Sequence, residues 1–416
     1  MKYLIVGASL RSRGGEAMVF EACKVIRELD NAAHIFLLSH DAAYDARLLE
    51  KLGNPYKIKI CEPNIKRINK YLDVIHDFFA IILAQMFKRM NIKVIRSPYR
   101  TLLLRCLNDS DIVIEIAGIS FTENLGLLNA VYSTIRMLCA RLLEKKYLCL
   151  PQSYGPSNSI LINLLAKIGL STVTCIMPRG RMSIEFLRRI GIRDKVIFVP
   201  DLAFSYENPS ENYKMKVYQR LGISNSKKYI GILPNIHLYR WSGMRIINML
   251  ANVIDNLTIC SDYYILLIPH EMRGSTTARL DDEFMCNLLY KRVKNKSRII
   301  MIPGELTANE IRSLIALCDF TIVSRYHAMI SSLKMCVPPV VIGWANKYYE
   351  TMELFDLSEF VIDYRHLKED ELINKITILL RKKDDVVNKI KGKLAKYEKA
   401  STILKNLLKS EIYEKY

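Results

Sequence analysis

The chain has 416 residues, 50% of them hydrophobic and 25% charged, which rules out wholesale disorder and suits two cores of about 200 residues each. Sixty-one Lys and Arg against 42 Asp and Glu leave a formal charge of +19, an excess that calls for an acidic partner: nucleic acid, an anionic membrane surface or a phosphorylated small molecule. Ten cysteines without any C-x-x-C, mostly inside apolar runs, argue against a zinc site or a disulfide framework and for buried free thiols in a reducing compartment.

The opening "MKYLIVGASL" is too brief for a signal peptide and reads as a first strand ending near Gly7. "AHIFLLS" follows as a second strand. Residues 64–105 then hold nine Lys and Arg against two Asp around the apolar centre "FFAIILAQMF". A helix of that makeup suits the interface of an anionic bilayer, and its plain alternative is a core helix with a solvated basic rim. It is no membrane span, because "YLDVIHDFFAIILAQMF" carries Asp73, His76 and Asp77, and no uncharged apolar run reaches the roughly 18–20 residues required. "DIVIEIAG", "YLCLPQS", "TVTCIMP" and "KVIFVPD" continue the series of strands between helical patterns. After "SYENPSENYK" the rhythm restarts with "KYIGILPN", "YYILLIPH", "RIIMIPG", "DFTIVSR" and "PPVVIGW". Near-continuous apolar strands of this kind are buried on both faces, as in parallel sheets. The expected fold is α/β, with two doubly wound Rossmann-like parallel-sheet domains spanning 1–208 and 209–365, and Lys-rich helices over 366–416.

Ligands of open α/β sheets bind beyond the carboxyl ends of the strands. Collected at those ends are Gly7 with the "SRGGEAM" loop and its Glu16, Glu115 with Gly118, Gln152 to Gly155, Arg179, Asp201, Asn235, His270 with Glu271, Arg325 with His327, and Lys347. Two domains facing each other would bring all of them to one central cleft. The richest stretch is "VSRYHAMISSLKMCVPPVVIGWANKYYE", residues 323–350. Upstream, "TANE" at 307–310 forms a capping box that opens a helix to about Cys318, so "DFTIV" is a strand and a second helix starts near Tyr326. Arg325 and His327 then sit at a helix N-terminus, where unpaired N–H groups and the helix dipole favour an anion, and Lys347 ends the adjacent strand. The plain alternative is that Arg325 pairs with a carboxylate, His327 is a half-buried core histidine and Lys347 is solvated. Arg179 has the same alternative of an ion pair, and Glu115 and Asp201 that of holding loop amides.

Taken together, "SRYHAMISSLKMCVPPVVIGWANK", "GGEAM", "DIVIEIAGISF", "PQSYGP", "PRGRMSIEFLRRIGI" and "PDLAF" resemble the polysaccharide pyruvyl transferase family in content and order, from about residue 3 to residue 363. The resemblance implies a fold similar to GT-B glycosyltransferases and transfer of a pyruvyl group from phosphoenolpyruvate to a sugar. It also implies a donor site of Arg325, His327, Arg179 and Lys347. Phosphoenolpyruvate, with its phosphate and carboxylate, calls for several cations at once. The chain departs from the family at Tyr326, where Leu is usual, at Ser12 and Gly15, where the first loop usually reads N-x-G-D, and at Ala117, where Gly is usual.

These readings give an expected transferase that installs a pyruvate ketal on a sugar of a surface-polysaccharide or lipid-linked glycan precursor. His327 is its expected acid–base residue, with Arg325, Arg179 and Lys347 as anion ligands. Glu16, Glu115 and Asp201 are candidates for the acceptor base, with Gly118 on the same acceptor side. The scheme calls for no cofactor and no metal, only phosphoenolpyruvate as donor substrate, and no nucleic-acid motif is present. The expected place is the cytoplasm, with peripheral contact at the inner membrane face. The rivals are a GT-B glycosyltransferase using a nucleotide sugar and a non-catalytic protein that binds anions or nucleic acid.

Overall fold

The structure is a computed structural model that describes residues 1–39, 41–61, 75, 78–82, 102–271 and 281–410. Most of the basic segment 64–105, including Lys88 and Arg89, lies outside the described residues. The chain forms two compact units, one of residues 1–10, 18–202 and 400–416, the other of residues 11–17 and 203–399. Among the described residues, no helix is long and apolar enough to cross a membrane.

In the first unit, β1 (Lys2–Val6), β2 (His34–Leu37), β3 (Ile58–Ile60), β4 (Ile112–Glu115), β5 (Ile119–Ser120), β6 (Lys146–Tyr154) and β7 (Cys175–Pro178) build a parallel sheet. Its main order is β3-β2-β1-β4-β6, with β7 on β6 and the short β5 paired to the end of β6 at Ser153 and Tyr154. The strands are mostly apolar because helices cover the sheet, and every residue of β4 and β7 is buried, Glu115 at the end of β4 included. The sequence "KVIFVPD" was expected to add a strand. It runs beside β7 through Ile197 N–H to Ile176 O and Val199 N–H to Pro178 O, yet forms only an isolated bridge. Lys195 at φ +58° turns the chain at one end, and Pro200 has no N–H to continue the ladder at the other.

The second unit carries β8 (Tyr229–Leu233), β9 (Tyr264–Leu267), β10 (Ile299–Met301), β11 (Cys318–Val323), β12 (Pro339–Gly343) and β13 (Val361–Asp363) in the order β10-β9-β8-β11-β12-β13, all parallel. Read from its first strand this is the doubly wound order 3-2-1-4-5-6. The chain order reverses between β8 and β11, so the crevice beyond their carboxyl ends, at Asn235 and Arg325, is where a ligand is expected. The helices Glu369–Arg381 and Lys383–Tyr397 belong to this unit, and Ala400–Leu408 returns to the first, where Lys405 pairs with Glu28 at 2.8 Å.

Candidate active site

The capping box at Thr307 is present: its side chain accepts from Glu310 N, the Glu310 carboxylate accepts from Thr307 N at 2.6 Å, and the helix runs Ala308–Ala316. It feeds β11, after which Ser324 and Arg325 turn the chain into the helix Tyr326–Lys334. Val337 and the two prolines follow, then β12 and the helix Asn346–Leu354. Neither the helix at Tyr326 nor the helix at Asn346 has a side-chain cap. Asn235, Asp281 and Thr307 cap the helices that follow β8, β9 and β10, while the helix Glu369–Arg381 beyond β13 also lacks a side-chain cap. Two uncapped N-termini thus follow β11 and β12, where their N–H groups favour an anion.

Arg325 is half-sunk between these elements. Its Nε and one terminal nitrogen form a fork on Asp282 at 2.9 and 2.7 Å, and the other terminal nitrogen donates to Glu271. The sequence allowed for such pairing, and the structure shows it, on a residue that no spacing pointed to: Asp282 is fully buried and also accepts from Ile236 N and Glu271 N. Three of the five guanidinium N–H groups are used in this way, which leaves two donors for a ligand. Burial pushes the Asp282 carboxyl up against the pull of Arg325. Burial by itself would lower Arg325, but Asp282 and Glu271 hold it above its ordinary value, so it stays charged.

His327 lies in the first turn of its helix, edge-on to Tyr326 with ring centroids 5.2 Å apart. Gly14 presses on its ring, so close that a Cβ there would overlap the imidazole. This brings the "SRGGEAM" loop to the site. Residues 11–17 group with the second unit, Ser12 bridges Glu271, and Glu16, expected on the acceptor side, caps Ala308 N at 3.1 Å and pairs with Arg13 at 3.1 Å. Burial pushes the Glu16 carboxyl up, opposed by Arg13. Arg13 and Gly14 belong to the site beyond the residues that strand ends point to, and their sequence signal is a basic residue followed by paired glycines at a helix start. His270 is buried beside them. Burial, and then His327, Arg325 and Arg13, drive its pKa well below the ordinary value, so it is neutral. Lys347 sits in an aromatic corner, its Nζ 4.9 Å from the ring centroids of Tyr326 and Trp344 and 5.7 Å from that of Tyr348. Tyr348 ties this turn to the Arg325 turn by donating to Ser324 O at 3.0 Å.

In the first unit, Arg179 joins Asp201 and Gly118. Only 2% exposed, it pairs with Asp201 and donates to Ser153 Oγ at 3.0 Å and Gly118 O at 2.7 Å. That is the ion pair allowed for it, and it differs from a cation open to a donor. Gly118 is at φ +70°, a turn only glycine adopts without strain. Glu115 is fully buried, bound by Arg136 at 2.8 Å and by the Tyr147 hydroxyl, with burial pushing the Tyr147 pKa up. Its environment is that of a sealed ion pair.

Residues 13–346 match the model of a family described as polysaccharide pyruvyl transferase. A relative, the amylovoran biosynthesis protein AmsJ of Erwinia amylovora, is 24% identical over 325 residues, 74% of this chain and 73% of that protein. Among solved structures, the UDP-GlcNAc 2-epimerase of Neisseria meningitidis bound to UDP-GlcNAc is similar at a TM-score of 0.61 and 14% identity, over 98% of this chain and 99% of that one. MnaA of S. aureus with UDP gives 0.62 and 12%, over 99% and 96%. At such identities the likeness shows the fold alone, which is GT-B-like α/β, as the motifs implied.

Proposed function

The chain belongs to the polysaccharide pyruvyl transferase family, and from that we propose that it moves the pyruvyl group of phosphoenolpyruvate onto a sugar of a cell-surface polysaccharide or lipid-linked glycan precursor, as a ketal. The observation that carries this reading is the gathering of Arg325, His327 and Lys347 at two uncapped helix N-termini beyond β11 and β12. The helix N–H groups, Lys347 and the two remaining Arg325 donors suit a small dianion with a phosphate and a carboxylate. A relative named for amylovoran biosynthesis accords with a glycan acceptor.

In this scheme the donor methylene takes a proton to become a methyl group, and C2 turns oxocarbenium-like. A sugar hydroxyl adds to C2 and gives up its proton, phosphate leaves, and a second hydroxyl closes the ketal. His327 supplies and recovers protons, because an imidazole does both near neutral pH. Arg325 and Lys347 hold the donor and stabilise the departing phosphate. The Gly14 backbone fixes the place of the His327 ring without adding charge to it. Arg179 with Asp201 acts as a buried pair that sets the strand ends of the first unit.

The test is phosphate release from phosphoenolpyruvate in the presence of purified glycan precursors, with the product weighed for a pyruvyl ketal. Release of a nucleoside diphosphate from a sugar nucleotide, without phosphoenolpyruvate turnover, would instead make the chain a glycosyltransferase. His327→Asn should lower kcat by ~10²–10⁴-fold and leave phosphoenolpyruvate affinity nearly unchanged. A rate within twofold of the parent would remove His327 from the chemistry.

A further inference from the structure

The helix Ile160–Thr172 of the first unit, ILINLLAKIGLST, carries Lys167 as its one charged residue and is apolar on both faces. One face, with Ile162, Ala166, Gly169 and Leu170, is buried, and Gly169 meets Met137 and Thr134 of the neighbouring helix Leu127–Leu142. The other face is in solvent: Ile160 is 82% exposed, Leu161 57% and Leu164 51%, with Ile168 beside them. A helix apolar all round belongs in a core or against lipid.

The exposed face does not stop at this helix. Glu123 accepts from Asn158 N and Ser159 N, which pins the turn Glu123–Leu125 beside the start of Ile160–Thr172. Just beyond that turn Leu127 and Leu128 are exposed as well, Leu128 by 62%. Contiguous apolar surface of this kind marks a docking face. Its charge says what docks. Ile160 and Leu164 line an open groove of about 490 Å³ together with Lys167 and Arg189. Arg189 is steadied there by Ser157 O and by the Phe186 ring, 5.6 Å away. Cations at the rim of an aliphatic surface complement an amphiphile with an anionic head.

We propose that this face seats the protein on an anionic phospholipid bilayer, with headgroup phosphates between Lys167 and Arg189 and the aliphatic side chains at the acyl boundary. The helix lies on the membrane and does not enter it, since thirteen residues span about 20 Å, short of the hydrocarbon core. A second copy of the chain is a poorer occupant. Across a two-fold axis the face would meet itself, setting the Lys167 and Arg189 rim near its own like charges in a chain of net +19.

The test sediments the full-length protein with phosphatidylcholine vesicles, with or without phosphatidylglycerol. The bound fraction should be roughly tenfold higher on the anionic vesicles and fall at high salt. Ile160→Ser with Leu164→Ser should lower anionic binding about tenfold without shifting the melting temperature, because both residues are exposed. Lys167→Glu with Arg189→Glu should bring anionic binding down to the neutral level. Equal recovery of the parent protein in the supernatant with both vesicles overturns the proposal, as does unchanged binding by the Ser variant. A dimer that the Ser variant dissociates, with no vesicle binding, also overturns it and gives the face to a second copy.

Discussion

Gly14 lies so flat against His327 that a Cβ at position 14 would fall 1.8 Å from the ring Cγ and 2.0 Å from Nδ1. The segment cannot easily retreat, because the Ser12–Glu271 bridge precedes it and the Glu16 bond to Ala308 N follows it. Relief must come from the imidazole. Gly14→Ala should therefore displace His327 and lower kcat by about 100-fold, the scale of loss expected for a misplacement of about 1 Å. The Michaelis constant for phosphoenolpyruvate should change far less. Steady-state phosphate release, read beside the melting temperature, checks this, and a parent-like rate would mean that the ring's position does not matter to turnover.

Arg325 is held by two carboxylates that differ in burial. Asp282 is fully buried and takes the fork, whereas the Glu271 side chain is 22% exposed and takes a single nitrogen. Removing one partner of a buried pair costs about 3–5 kcal/mol, because the other charge is left uncompensated. Asp282→Ala should destabilise the protein on that scale in urea unfolding. Glu271→Gln should cost less, about 1 kcal/mol, as for a pair nearer solvent. Arg325→Lys keeps the charge and loses the fork, so both stability and phosphoenolpyruvate affinity should drop. An Asp282→Ala protein as stable as its parent would show that the pair is not holding the site.

The strands that surround the site were legible because each is a short apolar run ended by Gly, Pro or a polar turn, and β11, the capping box before it and the Tyr326 helix all followed from local signals. The edge strands β3 and β13 were not legible. Ile58–Ile60 has Lys59 at its centre and Val361–Asp363 ends in Asp, so neither is an uninterrupted apolar run closed by Pro-Gly of the kind that marked the equally short β10. Among the site residues, Arg325, His327 and Lys347 follow strand ends and could be found from chain order. Asp282 could not, because its role depends on Arg325, 43 positions away, and a helix-opening Asp normally reads as a cap. Glu16 was misplaced for a related reason. It stands early in the sequence, and only the three-dimensional grouping of residues 11–17 with the second unit puts it at Ala308.

His270 gives the stability a sign that can be measured. Its native pKa lies well below 6.5, because burial and then His327, Arg325 and Arg13 disfavour the charged ring. Below about pH 6.5 the unfolded chain therefore binds a proton that the native state refuses, and stability falls as pH falls, by at most about 1.4 kcal/mol per pH unit. Glu16 and Asp282 act in the opposite sense. Burial raises their native values, so the stability they add is present below the unfolded carboxylate range, about pH 4, and is lost as pH rises through the native values. The difference between parent and His270→Asn isolates the histidine. Urea midpoints from pH 7 down to about pH 5 should converge for the two proteins as the pH falls. Parallel curves would mean that His270 takes up its proton in the native state.

Lys347 separates anion binding from structure. Its ammonium rests against three aromatic rings, and such contacts contribute about 0.5–1 kcal/mol near a surface. Lys347→Met keeps the aliphatic stem and its packing, so the melting temperature without ligand should move little. What should be lost is the response to anions. A ligand that binds only the native state raises its stability by RT ln(1 + [L]/Kd), so inorganic phosphate should raise the melting temperature of the parent in a concentration-dependent way. In Lys347→Met that rise should need about tenfold more phosphate, and the Michaelis constant for phosphoenolpyruvate should increase by a similar factor. Lys347→Arg retains the charge but carries a planar fork into a corner shaped for a point charge, and should recover only part of the response. Equal phosphate protection of parent and Lys347→Met would place the anion elsewhere, on the Arg325 donors and the helix N–H groups alone.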